Sequence, residues 1–114
     1  MTKNSIVLVP FPFNERHTSK VRPAVCLTNK IGKQQHVILS FIASKIPENT
    51  LHTDIILRKD AKLFHGTGLF TDSVIMLHRM VTLPESYLLR RLGFANPELV
   101  TIINRKLKLL FEFK

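Results

Sequence analysis

A single cysteine, Cys26, leaves no internal disulfide to brace the chain, so its stability must come from a packed core. Cys26 lies in the apolar run Ala24-Val25-Cys26-Leu27, where it reads as a small buried hydrophobe rather than a nucleophile. No stretch approaches the ~18 uninterrupted apolar residues of a transmembrane helix. The first apolar run, Ile6–Val9, is too short for a signal peptide and stops at Pro10, which points to the cytoplasm. Six prolines and four glycines in 114 residues are too few for a disordered tail. The five histidines show no short pairing with Cys or Asp, so no structural zinc site and no cofactor are expected. Acidic residues are also scarce. Eight Asp+Glu face seventeen Lys+Arg, a net charge of +9 and a pI near 10.2. A field of that sign draws polyanions, nucleic acid above all; solubility or pairing with an acidic protein are the blander readings.

The length fits one domain over residues 1–114. Its first two thirds read as short strands. Ser5–Val9 is β-branched and closed by Pro10-Phe11-Pro12-Phe13, because prolines do not sit in a central ladder. Residues 14–20 form a polar loop. Further strands fall over 22–28, 35–43 and 53–57, with turn residues at 29–33 and a Pro/Asn loop over 44–50. Another strand spans 73–79, continued or closely followed by Val81-Thr82-Leu83. Residues 60–71, with Gly66 and Gly68, resist assignment. Thr82-Leu83-Pro84-Glu85 has the spacing of a capping box and predicts a short helix over 84–91, closed by Gly93. A final helix starts at Asn96 as N-cap, with Pro97 and Glu98 in its first turn. Leu99, Ile103, Leu107 and Leu110 recur at helical spacing and mark its core-facing stripe. The pattern is a small barrel or sandwich with late helices.

Two stretches resemble the MazF/PemK family of toxin endoribonucleases. The first runs from Ile6 to Phe13, through a polar loop, into Ser19-Lys20-Val21-Arg22-Pro23-Ala24-Val25-Cys26-Leu27. The second runs from Asp72-Ser73-Val74 through Val81-Thr82-Leu83 to Leu92-Gly93 and the final helix. The resemblance implies a mainly β, SH3-like small barrel with a short helix and a C-terminal α-helix. It implies a toxin of a type II toxin–antitoxin system that cuts single-stranded RNA without a metal ion. The implied partners are single-stranded RNA, a cognate antitoxin protein, a second copy of the chain in a homodimer, and operator DNA through the antitoxin complex; no membrane is involved.

By that resemblance the phosphate-binding arginine is Arg22. The family's hydroxyl position falls at Ile42-Ala43-Ser44-Lys45, where this chain carries Ala43 in place of the usual threonine. Ser44 is the substitute, although strand alternation turns it to the opposite face from residue 43. The PemK branch also places an arginine and an acid two residues apart on the late strand. The nearest matching positions here are Met76 and His78, so those roles do not carry over.

Cleavage through the 2′-hydroxyl needs proton transfer and stabilisation of charge on phosphate oxygens. Arg22 suits the second task, being a planar, permanently charged fork. His17, in the polar loop near Arg22, suits the first, against a plain exposed histidine; His78, within the late strand, is the weaker candidate, against a core or barrel-end histidine. Arg16, Lys20, Lys45, Ser73 and His78 are candidates for gripping RNA, against solvated or barrel-end side chains. Phe11 and Phe13 offer stacking faces, with core or dimer contacts as the more ordinary reading. Two other functions stay open. Ala43 motivates a catalytically weak or inactive member that binds nucleic acid or antitoxin. A gyrase poison of the CcdB type shares the barrel, but its activity is linked to a C-terminal tryptophan, and this chain has none.

Overall fold

A computed structural model describes residues 2–10 and 20–113; His17, Arg16, Phe11 and Phe13, and with them the polar-loop reading over 14–19, lie outside these. Six strands, β1 (Ser5–Pro10), β2 (Val21–Cys26), β3 (His36–Ala43), β4 (Asp54–Leu57), β5 (Ser73–Pro84) and β6 (Arg90–Phe94), precede one helix, α1 (Pro97–Phe111). They form one antiparallel sheet in the order β4-β5-β3-β2-β1-β6 that curls into a half-barrel. The mainly β barrel with a C-terminal helix matches the sequence expectation. No helix among the described residues is long and apolar enough to cross a membrane.

The period-2 alternation of the strands divides the core in two. Ile6, Val25, Ile42, Ile75 and Leu77 face α1, where Leu99 and Ile103 are buried against them and Leu107 and Leu110 pack partly covered. Val7, Val9, Ala24, Cys26, Val37, Leu39, Phe41, Val81 and Leu83 fill the opposite, inner face. Helix α1 is fixed as its cap predicts: Asn96 Oδ1 accepts from the Leu99 amide at 3.0 Å. The Asn96 amide also donates to the carbonyls of Lys62, Leu63 and His65. One side chain thereby caps the helix and pins the segment that resisted assignment, a 3-10 turn over Lys62–Phe64.

The helix expected over 84–91 is not formed. Glu85–Tyr87 makes a single 3-10 turn, Thr82 lies inside β5, and Arg90–Phe94 is a strand paired to β1. A capping-box spacing offers a helix start only where the residues after it bury one helical face; here β1 offers an open ladder and pairing wins. Gly93 therefore does not end a helix. It lies where a Cβ would overlap the Gly66 carbonyl, so its absent side chain permits close packing of two backbones.

Cys26 is buried on the inner face, and burial pushes its thiol up to about 11. In native buffer at pH 8 it should resist a thiol reagent such as Ellman's, and react fully once the chain is unfolded in guanidinium. Rapid reaction of the native protein would contradict the burial.

Candidate nucleic-acid cleavage site

Two interruptions of the sheet meet at one place and open a cavity. Proline cannot donate to a ladder. Among the described residues the β2–β3 ladder covers Ala24–Cys26, while Arg22 and Pro23 pair with Val9 and Leu8 of β1. On the far side of β3 the β5 ladder breaks. Ser40 pairs with Met80 but Phe41 with Met76, so Leu77, His78 and Arg79 bulge out unpaired with β3. An odd insertion swaps faces: Ile75 and Leu77 point to α1, whereas Val81 and Leu83 point inward. Buried Ser40 ties the bulge down, its Oγ donating to the Leu77 carbonyl at 2.8 Å.

Between these interruptions lies a cavity of about 160 Å³ lined by Arg22, Phe41, Ile42, Ala43, Met76 and Arg79. Arg22 is half-buried, and Arg79 is exposed at the rim. Two guanidiniums beside one small cavity of a +9 protein have the charge and the paired donors to hold two oxygens of an anion such as a phosphodiester. The sequence pattern missed Arg79. Counting from the family's late-strand spacing leads to Met76 and His78, and only the three-residue bulge carries an arginine to the cavity. Ala43 also lines it, so the position of the family's hydroxyl is a methyl group here.

Ser44 is exposed and lies elsewhere. With Leu8, Pro23, Leu69, Phe70, Thr71, Ser73 and Leu92 it lines a second, mostly apolar cavity of about 180 Å³. Strand alternation accounts for this, since Ser44 and Ala43 face opposite ways. Ser73 is buried, and its Oγ donates to the Thr71 carbonyl at 2.8 Å. The structure thus brings Arg22, Ala43, Met76 and Arg79 together and separates Ser44 and Ser73 from them. Lys20 and Lys45 are exposed at the ends of β2 and β3 nearest the cavity. Asp72 plays a structural part. It accepts from the Lys59 amide at 2.7 Å, which together with Arg58 holds its carboxyl below the usual range against some desolvation.

His78 is exposed on the bulge, between the cavity-lining Met76 and Arg79. Its Nδ1 lies 4.0 Å from Oδ1 of Asp54, the β4 residue paired with Met76. Asp54 is buried; its Oδ2 accepts from the Leu51 amide at 2.9 Å, but Oδ1 has no hydrogen-bond partner among the described residues. Leaving a buried acceptor unsatisfied costs about 1–3 kcal/mol, more for a charged one. No three His, Cys, Asp or Glu side chains among the described residues stand close enough together to hold a metal ion.

The fold is similar to that of Mycobacterium tuberculosis toxin MazF-mt6, with a TM-score of 0.72 and 18% identity over 96% of this chain and 98% of that one. It is similar as well to an endoribonuclease in complex with its cognate antitoxin from a mycobacterial species (TM-score 0.73, 13% identity, 100% of this chain and 97% of that one). A third similar structure comes from the MazE-MazF crystals of Deinococcus radiodurans (TM-score 0.72, 16% identity, 100% and 97%). Such identities carry the fold alone. No curated protein matches the sequence. The profile of the PemK-like, MazF-like toxins of type II toxin-antitoxin systems, however, matches residues 2–111, nearly the whole length, and the chain belongs to that family.

Proposed function

We propose that the protein is the toxin of a type II toxin–antitoxin pair and an endoribonuclease that cleaves single-stranded RNA through its own 2′-hydroxyl. The observation that carries this reading is the cavity where Arg22 and Arg79 converge, within a chain of net charge +9. The positive field gathers RNA, and the two guanidiniums hold the scissile phosphate and stabilise the charge that builds on its oxygens as the 2′ oxygen attacks. Lys20 and Lys45 hold flanking phosphates, strengthening binding in a salt-dependent way without choosing bases. A cognate antitoxin, whose acidic segment complements the same basic surface, keeps the toxin from arresting growth. A second copy of the chain completes a homodimer.

The test is incubation of the purified protein with mixed-sequence RNA in EDTA, beside Arg22→Ala. Cleavage that persists in EDTA and falls with the substitution supports the reading. Cleavage abolished by EDTA, or undiminished without Arg22, contradicts it.

Ala43 favours a second reading, a member that binds RNA or antitoxin and cuts slowly. A methyl group offers no hydrogen bond to a phosphate or ribose oxygen. Ala43→Thr, which places a hydroxyl in the cavity, should raise the cleavage rate about 5-fold, in keeping with one added neutral hydrogen bond of about 1 kcal/mol. No cleavage by either protein would favour the binding-only reading.

A further inference from the structure

We propose that His78 is the proton acceptor of the RNA cleavage reaction and that Asp54 is its positioning residue. The inference rests on the endoribonuclease reading above and gives that site a base, which the two arginines cannot supply because they stay protonated.

Three observations meet at this pair. His78 sits on the β5 bulge, and its neighbours Met76 and Arg79 both line the cavity. Asp54 is paired across the strands with the cavity-lining Met76. Its Oδ1 is buried and without a hydrogen-bond partner among the described residues, and the nearby imidazole Nδ1 is 4.0 Å away. A buried carboxylate oxygen with one imidazole nitrogen just beyond bonding distance is an incomplete interaction. With Nδ1–H donated to Asp54, the neutral tautomer is fixed and Nε2 is left as the lone-pair nitrogen. Hydrogen bonds at reacting groups are often long in an unliganded site and tighten when substrate binds. The charged groups around the pair are Asp54 on β4, Arg79 beside His78 on β5, and Lys106 of α1, whose Nζ donates to the Asp54 carbonyl oxygen at 2.8 Å. Lys106 thus holds the Asp54 backbone, and the Asp54 carboxylate remains for His78.

The step balances as follows. Nε2 takes the 2′-hydroxyl proton, the 2′ oxygen forms a bond to phosphorus, and the bond from phosphorus to the 5′ oxygen breaks. The departing 5′ oxygen takes a proton from water, and the imidazolium gives its proton to the hydroxide so formed. The products are a 2′,3′-cyclic phosphate and a 5′-hydroxyl. Asp54 stabilises the imidazolium in between.

The experiment measures single-turnover cleavage of mixed-sequence RNA across pH 5–9, with RNA affinity measured in parallel, for the wild type, His78→Ala and Asp54→Asn. His78→Ala should lower the rate about 10²- to 10³-fold, the range of a lost general base, with RNA affinity nearly unchanged and partial recovery in added imidazole. Asp54→Asn, which keeps the shape, should lower the rate about 10-fold with RNA affinity nearly unchanged. Melting curves establish that both variants fold. Wild-type cleavage that disappears with Arg22→Ala but is unaltered in rate by His78→Ala would overturn this inference and leave the proposed function standing. A wild type that does not cut RNA would overturn both. Loss of affinity equal to the loss of rate, without imidazole rescue, would make His78 a binding residue only and overturn the proposal.

Discussion

Arg22→Ala is expected to slow RNA cleavage about 10³-fold at saturating RNA, with a much smaller loss of affinity. Removing one donor that faces developing charge costs about 10²–10³ in rate, and a bidentate cation belongs at the upper end of that range. At 1.36 kcal/mol per decade this is about 4 kcal/mol of transition-state stabilisation. Affinity falls less because a chain of net charge +9 retains most of its attraction for the backbone. Arg22→Lys should recover only part of the rate. It restores charge at a point, but not the fork that spans two phosphate oxygens. Arg79→Ala should lie between wild type and Arg22→Ala, since Arg79 is exposed at the rim and its charge is better screened. Single-turnover kinetics with each variant, at fixed salt, check the order. Equal rates for Arg22→Ala and wild type would remove Arg22 from the chemistry.

The largest effect on folding is expected at Gly68. Its φ is +74°, and a Cβ there would stand 2.6 Å from the Leu92 carbonyl carbon, overlapping the β6 backbone. Alanine would add left-handed strain to a backbone clash that no rotamer can relieve, a loss of about 4 kcal/mol on the usual scale of such strain and overpacking. For a chain this size that is about 15–25 °C in Tm. Gly32 supplies the control: its φ is +71° but no atom lies within 4 Å of the added Cβ. Gly32→Ala should therefore carry the strain alone, about 1 kcal/mol. Similar losses for both variants would show that the contact with Leu92 contributes nothing.

These two positions also show where the sequence was readable. The final helix was legible because its cap, its first-turn proline and its apolar stripe all agree, and the structure uses Asn96, Leu99 and Ile103 as that pattern implies. The first four strands were legible from alternation, with boundaries moved by one or two residues, and the strand expected over 73–79 runs on to Pro84. The stretch after Pro84 was not. Its local spacing fits a helix start, whereas its fate is decided by the open ladder of β1, more than eighty positions earlier. Gly68 lay in a stretch that resisted assignment and Gly93 read as a helix stop, yet both allow two backbones to touch, which no local pattern announces.

The site divides in the same way. Arg22-Pro23 stood out because an Arg-Pro pair opening an apolar strand after a polar loop resembles the family's signature, and Arg22 does line the cavity. Ser44 was correctly suspected of facing away from residue 43, since alternation is a local property. Arg79 escaped notice because its place depends on a three-residue bulge. The count of residues along β5 gives one face, the pairing with β3 gives the other, and only the pairing decides. Asp54 escaped for a related reason: nothing near it in sequence hints at the histidine across the sheet.

The most direct measurement is mass spectrometry of the termini left on RNA cut in EDTA, by wild type and by Arg22→Ala. The account predicts fragments ending in 2′,3′-cyclic phosphate and beginning with 5′-hydroxyl, abundant with the wild type and nearly absent with the variant. Fragments beginning with 5′-phosphate, or the same termini formed as quickly without the Arg22 guanidinium, would contradict it.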